Sequence, residues 1–265
     1  MNGDAVQPVI HLGLWDMLLL AVPIAAVIAI GLVLRLGQWR QVTWATVRAT
    51  VQLVAVGLVI GWVFERDTWY WIIGLLCVMT LIAGFTAGGR LGRSLSRTSI
   101  VFSVVMGLST AVVLIYLTQA VVDLDRWDPR YIIPLGGMLL GNAMTAATLA
   151  IERMTSDLRQ GASDVEVYLA LGASPWQAIQ PALRRSIAAA LMPTLNAMLI
   201  MGVVKLPGMM TGQMLGGTEP FQAALYQLLI LVGLLATEML TAIASAAFCY
   251  RRFFTRAWQL DRRAL

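Results

Sequence analysis

About seven apolar stretches, each long enough to cross a bilayer, fill most of this 265-residue chain and leave little length for a water-soluble domain. They cover residues 14–34, 44–64, 69–88, 100–121, 131–151, 187–206 and 221–248. An apolar helix of about 20 residues rises about 30 Å, the thickness of the hydrocarbon core. A closed barrel is the only other way across, but it needs short strands of alternating polarity, and these runs are continuous. Hydrophobic residues are 59% of the chain and charged residues 12%, with a mean hydropathy of +0.77. The expected fold is therefore all-α, a polytopic membrane protein with about seven transmembrane helices in one domain.

Arginine placement orients the bundle. Basic clusters follow the odd-numbered spans: Arg35 and Arg40; Arg90, Arg93 and Arg97; Arg153, Arg159, Arg184 and Arg185; then Arg251, Arg252, Arg256, Arg262 and Arg263. The other side carries Arg66, Arg126, Arg130 and Lys205, with Glu65, Asp67, Asp123, Asp125 and Asp128 among the first three. This predicts an N-terminus outside and a C-terminus in the cytoplasm. The first span is expected to stay in the chain, because Asp4 and Asp16 lie where a cleavable signal peptide would be basic. The pI of about 9.7 then reflects topology and anionic-lipid contact, not nucleic-acid binding. His11 is the only histidine, which removes any His-based metal cluster or triad within one chain. Cys77 and Cys249 sit singly in apolar spans and read as small core residues.

There is no 20–50-residue repeat and no low-complexity region. One connection is long: residues 152–186, polar and amphipathic, predicted on the cytoplasmic side. Within it Asp164 and Glu166 lead into Leu169, Ala170 and Leu171; Gly172, Ala173, Ser174 and Pro175 follow, then Trp176. This reads as a helix, a glycine stop, a serine N-cap with proline at the first helical position, and a second helix. The corner is either a plain interfacial link between two spans or a docking knob for a soluble partner.

Polar groups inside the apolar runs are the candidates for a translocation path, since a mid-membrane charge costs about 2.5–3.5 kcal/mol on insertion scales. Glu238 is either a cavity-facing carboxylate or a hydrogen-bonded acid that fixes helix register. Arg48 and Gln52 share one helical face, where Arg48 either lines the path or snorkels. Asn142 and Asn196 either bond between helices or line a route. Gly137, Gly141, Ala143 and Ala147 have the small-residue spacing of a close helix contact. In the external connection 206–220, Pro207, Gly208, Gly212, Gly216, Gly217 and Pro220 should break or bend any helix, predicting a gate-like or partly re-entrant loop. There Met209, Met210 and Met214 offer either thioether ligands or adaptable packing, and Thr211, Gln213 and Glu219 offer oxygens.

The corner is similar to the E-A-A…G loop of ATP-binding-cassette (ABC) permeases: Glu166 precedes Gly172 by six residues, with Val167 and Tyr168 in place of the two alanines. Three further segments are more specific. Pro134-Leu135-Gly136-Gly137-Met138 with Gly141-Asn142-Ala143-Met144, the run Leu169 to Ala178, and Leu206-Pro207-Gly208-Met209-Met210-Thr211-Gly212 resemble signatures of the FetB-type iron-export permeases, a group that includes plant aluminium-tolerance permeases. Arg48-Ala49 with Gln52-Leu53 fits as well, so the resemblance extends from about Arg48 to Tyr226. It implies a permease subunit of an ABC exporter in the bacterial inner membrane, forming a homodimer and moving iron or another metal. It also implies that Glu166, Ala170, Leu171, Gly172, Ala173, Ser174, Pro175 and Trp176 couple to a cytoplasmic ATPase subunit.

The single lysine, Lys205, is followed by Leu206, and no G-x-x-x-x-G-K-[ST] loop exists to hold a nucleotide phosphate. The chain is thus expected to be no enzyme and to bind no cofactor, with ATP hydrolysed by a separate subunit. Two alternatives stay open: a partner-independent secondary transporter or channel, and an ABC permease for an organic or sugar-nucleotide substrate.

Overall fold

Continuous apolar sequence gives helix almost everywhere in the computed structural model, which describes residues 13–19, 21–33, 39–66, 68–91, 99–122, 128–255 and 257–261. His11, Arg35 and several of the basic residues used for orientation (Arg93, Arg97, Arg126, Arg256, Arg262 and Arg263) lie outside the described residues. The helices are α1 (Leu14–Leu19), α2 (Ala21–Val33), α3 (Trp39–Arg66), α4 (Trp69–Arg90), α5 (Ser99–Ile115, continued by a π-helical turn, Tyr116–Val121) and α6 (Pro129–Gln160). After them come α7 (Ala162–Ala170), α8 (Pro175–Ile200), α9 (Gly208–Leu215) and α10 (Pro220–Cys249), which ends in a 3₁₀ turn, Tyr250–Phe253. Among the described residues the only extended pairings are two isolated bridges.

Several hydroxyls of these helices hydrogen-bond within their own helix, which suits a lipid environment. Thr80, Thr86, Thr118, Thr148 and Thr237 each donate to the carbonyl four residues back at 2.7–2.8 Å. Five helical segments among the described residues are long and apolar enough to span: Trp39–Arg66, Trp69–Arg90, Ser99–Val121, Pro129–Gln160 and Pro220–Phe253. Of the two other expected spans, the one at 187–206 is shorter than the sequence pattern suggested. The described residues of the stretch 14–34 form α1 and α2. The apolar half of α8 stops at Ile200, where the chain turns through Gly202 at a φ of 80°, a left-handed value that favours glycine.

Two compact units make up the chain. The first holds α1, α2 and α3, with α1 packed on α2 and α2 on α3. The second holds α4 to α10, and its hub is α6, which packs against α4, α5, α8 and α10. Asp128 caps α6 by accepting from the Arg130 N–H at 2.9 Å, with Pro129 at the first helical position. Small residues allow the close approaches. A Cβ on Gly84 of α4 would sit 2.7 Å from the Ser103 Cα of α5. Ala146 and Ala150 of α6 meet Ala190 of α8 and Ala242 of α10. In the predicted small-residue stripe Ala143 and Ala147 are fully buried and Gly137 faces Met79, whereas Gly141 faces open space. Cys249 is a core residue, but Cys77 is exposed on α4.

At one end of this unit the C-termini of α4, α6 and α10 meet the N-termini of α5 and α8 around a common core that includes Ala87, Phe102, Met154, Leu158, Ile179 and Phe253. Arg90, Arg153, Arg159, Arg184, Arg185, Arg251 and Arg252 all belong to this end.

Candidate functional site

The corner at residues 161–178 is built by local sequence chemistry. Helix α7 ends in a Schellman-type closure: the Ala173 N–H donates to the Tyr168 carbonyl and the Gly172 N–H to that of Leu169, both at 3.0 Å. Gly172 provides the left-handed residue this closure needs, with a φ of 88°. Immediately after it, Ser174 and Gln177 form a reciprocal capping box. The Ser174 N–H donates to Gln177 Oε1 at 2.8 Å, and the Gln177 N–H donates to Ser174 Oγ at 3.4 Å. Pro175 then starts α8 at its first position. One helix is stopped and the next started within four residues, so the corner is stiff.

Its apolar tip points outward. Leu171 is 80% exposed, Glu166, Val167, Tyr168, Ala170, Gly172 and Trp176 are also exposed, and Ala173, Ser174 and Pro175 are half-buried. Beneath the tip Val165, Ala178 and Ile179 are buried against Met154 and Leu158 of α6. The corner is also locked by charge. Asp157, buried near the end of α6, accepts from Arg185 Nε of α8 at 2.7 Å and pairs with Arg153 Nε one turn back at 3.1 Å. Helix length sets its height. If the apolar run to Ile151 fills the hydrocarbon core, residues 152–160 carry the corner roughly 13 Å further. A headgroup layer is only about 5–8 Å deep on each side. On that placement the exposed leucine and aromatics would stand clear of lipid.

The path candidates are scattered. Glu238 of α10 is 3% exposed, and its Oε1 accepts from Thr194 Oγ1 of α8 at 2.6 Å. Thr241 and Ser245 continue its stripe along α10, both fully buried or nearly so. Glu238 lies outside the hollows bordered by Tyr116, by Gly172 and by Trp176. Asn142 is half-buried and donates to the Met138 carbonyl of its own helix at 3.0 Å. Asn196 is exposed on α8, and Arg48 and Gln52 are exposed on α3 in the other unit. Residues 208–215 correct the expectation that glycines would break any helix there: they form α9, with Thr211 Oγ1 donating to the Gly208 carbonyl at 2.9 Å. Met209, Met210, Met214 and Leu215 are good helix formers and outweigh two helical glycines, each of which costs only about 1 kcal/mol. Met209, Met210, Thr211 and Gln213 are half-buried on it. Among the described residues no three His, Cys, Asp or Glu side chains converge on a possible metal.

Sequence reasoning missed two features at the corner. Asp157 was one polar residue in an amphipathic stretch; only its spacing of four from Arg153 was legible. The C-terminal turn, residues 253–255 and 257–261, which folds back beside the corner, had no periodic signal at all.

Fold and corner together define the class: a polytopic α-helical membrane protein carrying a stiff, solvent-exposed helix corner. The chain belongs to the UPF0014 family, described as an uncharacterised protein family, whose profile matches residues 14–254. It is 39% identical over 239 residues to the "UPF0014 membrane protein slr1647" of Synechocystis, covering 87% of this chain and 92% of that one. It is 33% identical to the "Protein ALUMINUM SENSITIVE 3" of Arabidopsis thaliana, covering 83% and 80%. With the "Probable iron export permease protein FetB" of Escherichia coli it shares 31% identity, covering 83% and 84%. No solved structure matches the chain.

Proposed function

We propose that this chain is the membrane-spanning permease subunit of an ABC exporter that moves iron or another metal out of the cytoplasm. The observation that carries the reading is the stiff, outward-facing corner at Gly172–Pro175, tied to the central helix α6. A soluble ATPase subunit seated on Leu171 and Trp176 would push α7 and α8, and the Asp157–Arg185 pair would pass the displacement to α6. Two copies of the chain pair about a two-fold axis, each with its own ATPase. ATP hydrolysis shifts the bundle between inward-open and outward-open states through the different affinities of those states for nucleotide-bound partner.

The clustering of arginines at the corner's end supports a cytoplasmic position for it and for the C-terminus, with the N-terminus outside, in a bacterial inner membrane. Metal as cargo is supported by the name of the E. coli relative. A partner-independent transporter draws less support, because Glu238, its natural ion relay, is buried with one oxygen bound to Thr194.

The test uses the chain purified in mild detergent and a strain lacking it. Retention of a nucleotide-binding subunit, lost on Gly172→Trp, together with raised cellular iron in the null strain, is the expected result. A chain that never retains such a subunit, and whose Gly172→Trp form still transports, would falsify the coupling role. Unchanged iron content and tolerance in the null strain would remove iron as cargo.

A further inference from the structure

We infer that the C-terminal turn, residues 253–255 and 257–261, is the second half of the corner's docking surface, with Trp258 as its anchor on the soluble ATPase subunit. This rests on the function proposed above and extends it to a segment outside the corner itself.

The turn is a constructed element. Phe253 is 1% exposed, and it is packed with Leu260 into the core beneath the corner. Between those two pins the backbone closes on itself. The Thr255 N–H donates to the Gln259 carbonyl at 2.8 Å, the Trp258 N–H to the Thr255 carbonyl at 3.0 Å, and the Asp261 N–H to the Phe253 carbonyl at 2.8 Å. The Gln259 N–H also donates to Thr255 Oγ1 at 3.2 Å. At the tip Trp258 has a φ of 59°, the only positive value at a non-glycine among the described residues, and it is 61% exposed. Such a conformation is strained for a bulky side chain. Folding alone gives no reason to hold an exposed tryptophan there, since burial of Phe253 and Leu260 already anchors the turn.

Position supplies a reason. Trp258 stands between two hollows that separate the turn from the corner. The larger, about 700 Å³, lies between Ala170, Gly172 and Ala173 on one wall and Trp258 and Gln259 on the other. The smaller, about 400 Å³, lies between Ser174 and Trp176 on one wall and Tyr250 and Trp258 on the other, with Arg251 at its edge. Trp176 meets Tyr250 edge-on at 5.1 Å, which fixes the two walls relative to each other. Leu171 and Trp258 are thus two exposed apolar knobs on one rigid frame. Tryptophan set among pockets is the chemistry of protein-interface hot spots. Helix α6 runs about nine residues past its apolar stretch, which would lift this frame beyond the headgroups and favours a soluble protein over lipid, and Arg251 favours a partner cleft with an acidic edge.

The test uses the full chain in nanodiscs and, as probe, a purified ABC ATPase of the source organism whose hydrolysis the wild-type chain stimulates. Trp258→Ala should weaken binding at least about tenfold, with stimulation falling in parallel and thermal unfolding unchanged. Trp258→Gly relieves the backbone strain and should raise the unfolding temperature while weakening binding equally, which separates anchoring from folding. If both variants bind as the wild type does while Gly172→Trp fails, the turn is no part of the surface and the corner keeps its role. If Gly172→Trp also binds and stimulates normally, or no such ATPase responds to the wild-type chain, the coupling function falls and this inference with it.

Discussion

Asp157 of α6 and Arg185 of α8, 28 positions apart in sequence, are joined by a 2.7 Å charge-assisted hydrogen bond at the base of the corner. The carboxylate is buried, while the guanidinium is about half exposed. The pair therefore ties the helix leaving the corner to the hub of the bundle. Removing the carboxylate strands no charge in the interior, because both arginines reach solvent. Asp157→Asn should cost about 1–3 kcal/mol, the usual effect of losing a hydrogen bond to a charged group. Chemical unfolding in detergent measures it. Its second effect is specific to coupling: ATPase docking should persist while transport per ATP falls. The exchange Asp157→Arg with Arg185→Asp should recover part of that ratio. Equal losses of docking and transport would reduce the pair to a structural role.

The corner's own geometry makes a separate prediction. Gly172 has open space around its missing side chain, so substitution there meets no clash, only the left-handed backbone. Gly172→Ala should destabilise by about 1–2 kcal/mol, and Gly172→Asn by less, because asparagine tolerates that region. Ser174→Ala removes the capping box at the start of α8 and should cost about 0.5–2 kcal/mol. Hydrogen exchange of α7 and of the first turn of α8 reads both. Faster exchange confined to these turns is expected, and no change at either site would refute the account of the corner's stiffness.

Helix contact between α4 and α5 depends on a single missing atom. Any Cβ on Gly84 runs into Ser103, including its backbone, which no rotamer change relieves. Gly84→Ala should therefore force the helices apart at a cost of about 1–3 kcal/mol. Gly74 lies on the same helix with nothing within 4 Å. Gly74→Ala should be neutral or stabilise by up to about 1 kcal/mol, the gain in helix propensity. Thermal unfolding of the two variants side by side checks the contrast, and similar midpoints would refute the close approach.

The elements that were legible in sequence are those whose signal is local. The apolar runs at 44–64, 69–88, 100–121, 131–151 and 221–248 each fall on a spanning helix, and Gly172, Ser174 and Pro175 announced the corner through the φ and capping preferences of their types. What failed was also local in cause. Val203 and Val204 extended the apolar count past Ile200, although Gly202 turns the chain there and leaves both exposed. Gly208 and Gly212 were read as breakers, yet α9 forms through them. The features that complete the candidate site were illegible for another reason. Arg185 on Asp157, Thr194 on Glu238 and Trp258 beside Gly172 are long-range juxtapositions, and nothing in residue spacing marks them.

Glu238 and Thr194 give the last prediction. Their 2.6 Å hydrogen bond joins α10 to α8 inside the bundle, with both side chains buried. Glutamine keeps an acceptor of nearly the same shape for the Thr194 hydroxyl, so Glu238→Gln should unfold within about 1 kcal/mol of the wild type. Glu238→Ala leaves both a cavity and an orphaned buried hydroxyl, which should cost about 2–5 kcal/mol by analogy with other large-to-small core changes. Thr194→Val removes only the donor and should fall between them. Measured in one detergent series, this order identifies the bond as what holds the two helices in register. Export of the proposed metal cargo by Glu238→Gln then separates the remaining possibilities: transport close to wild type assigns Glu238 to packing, whereas a folded protein that no longer transports assigns its charge to the path.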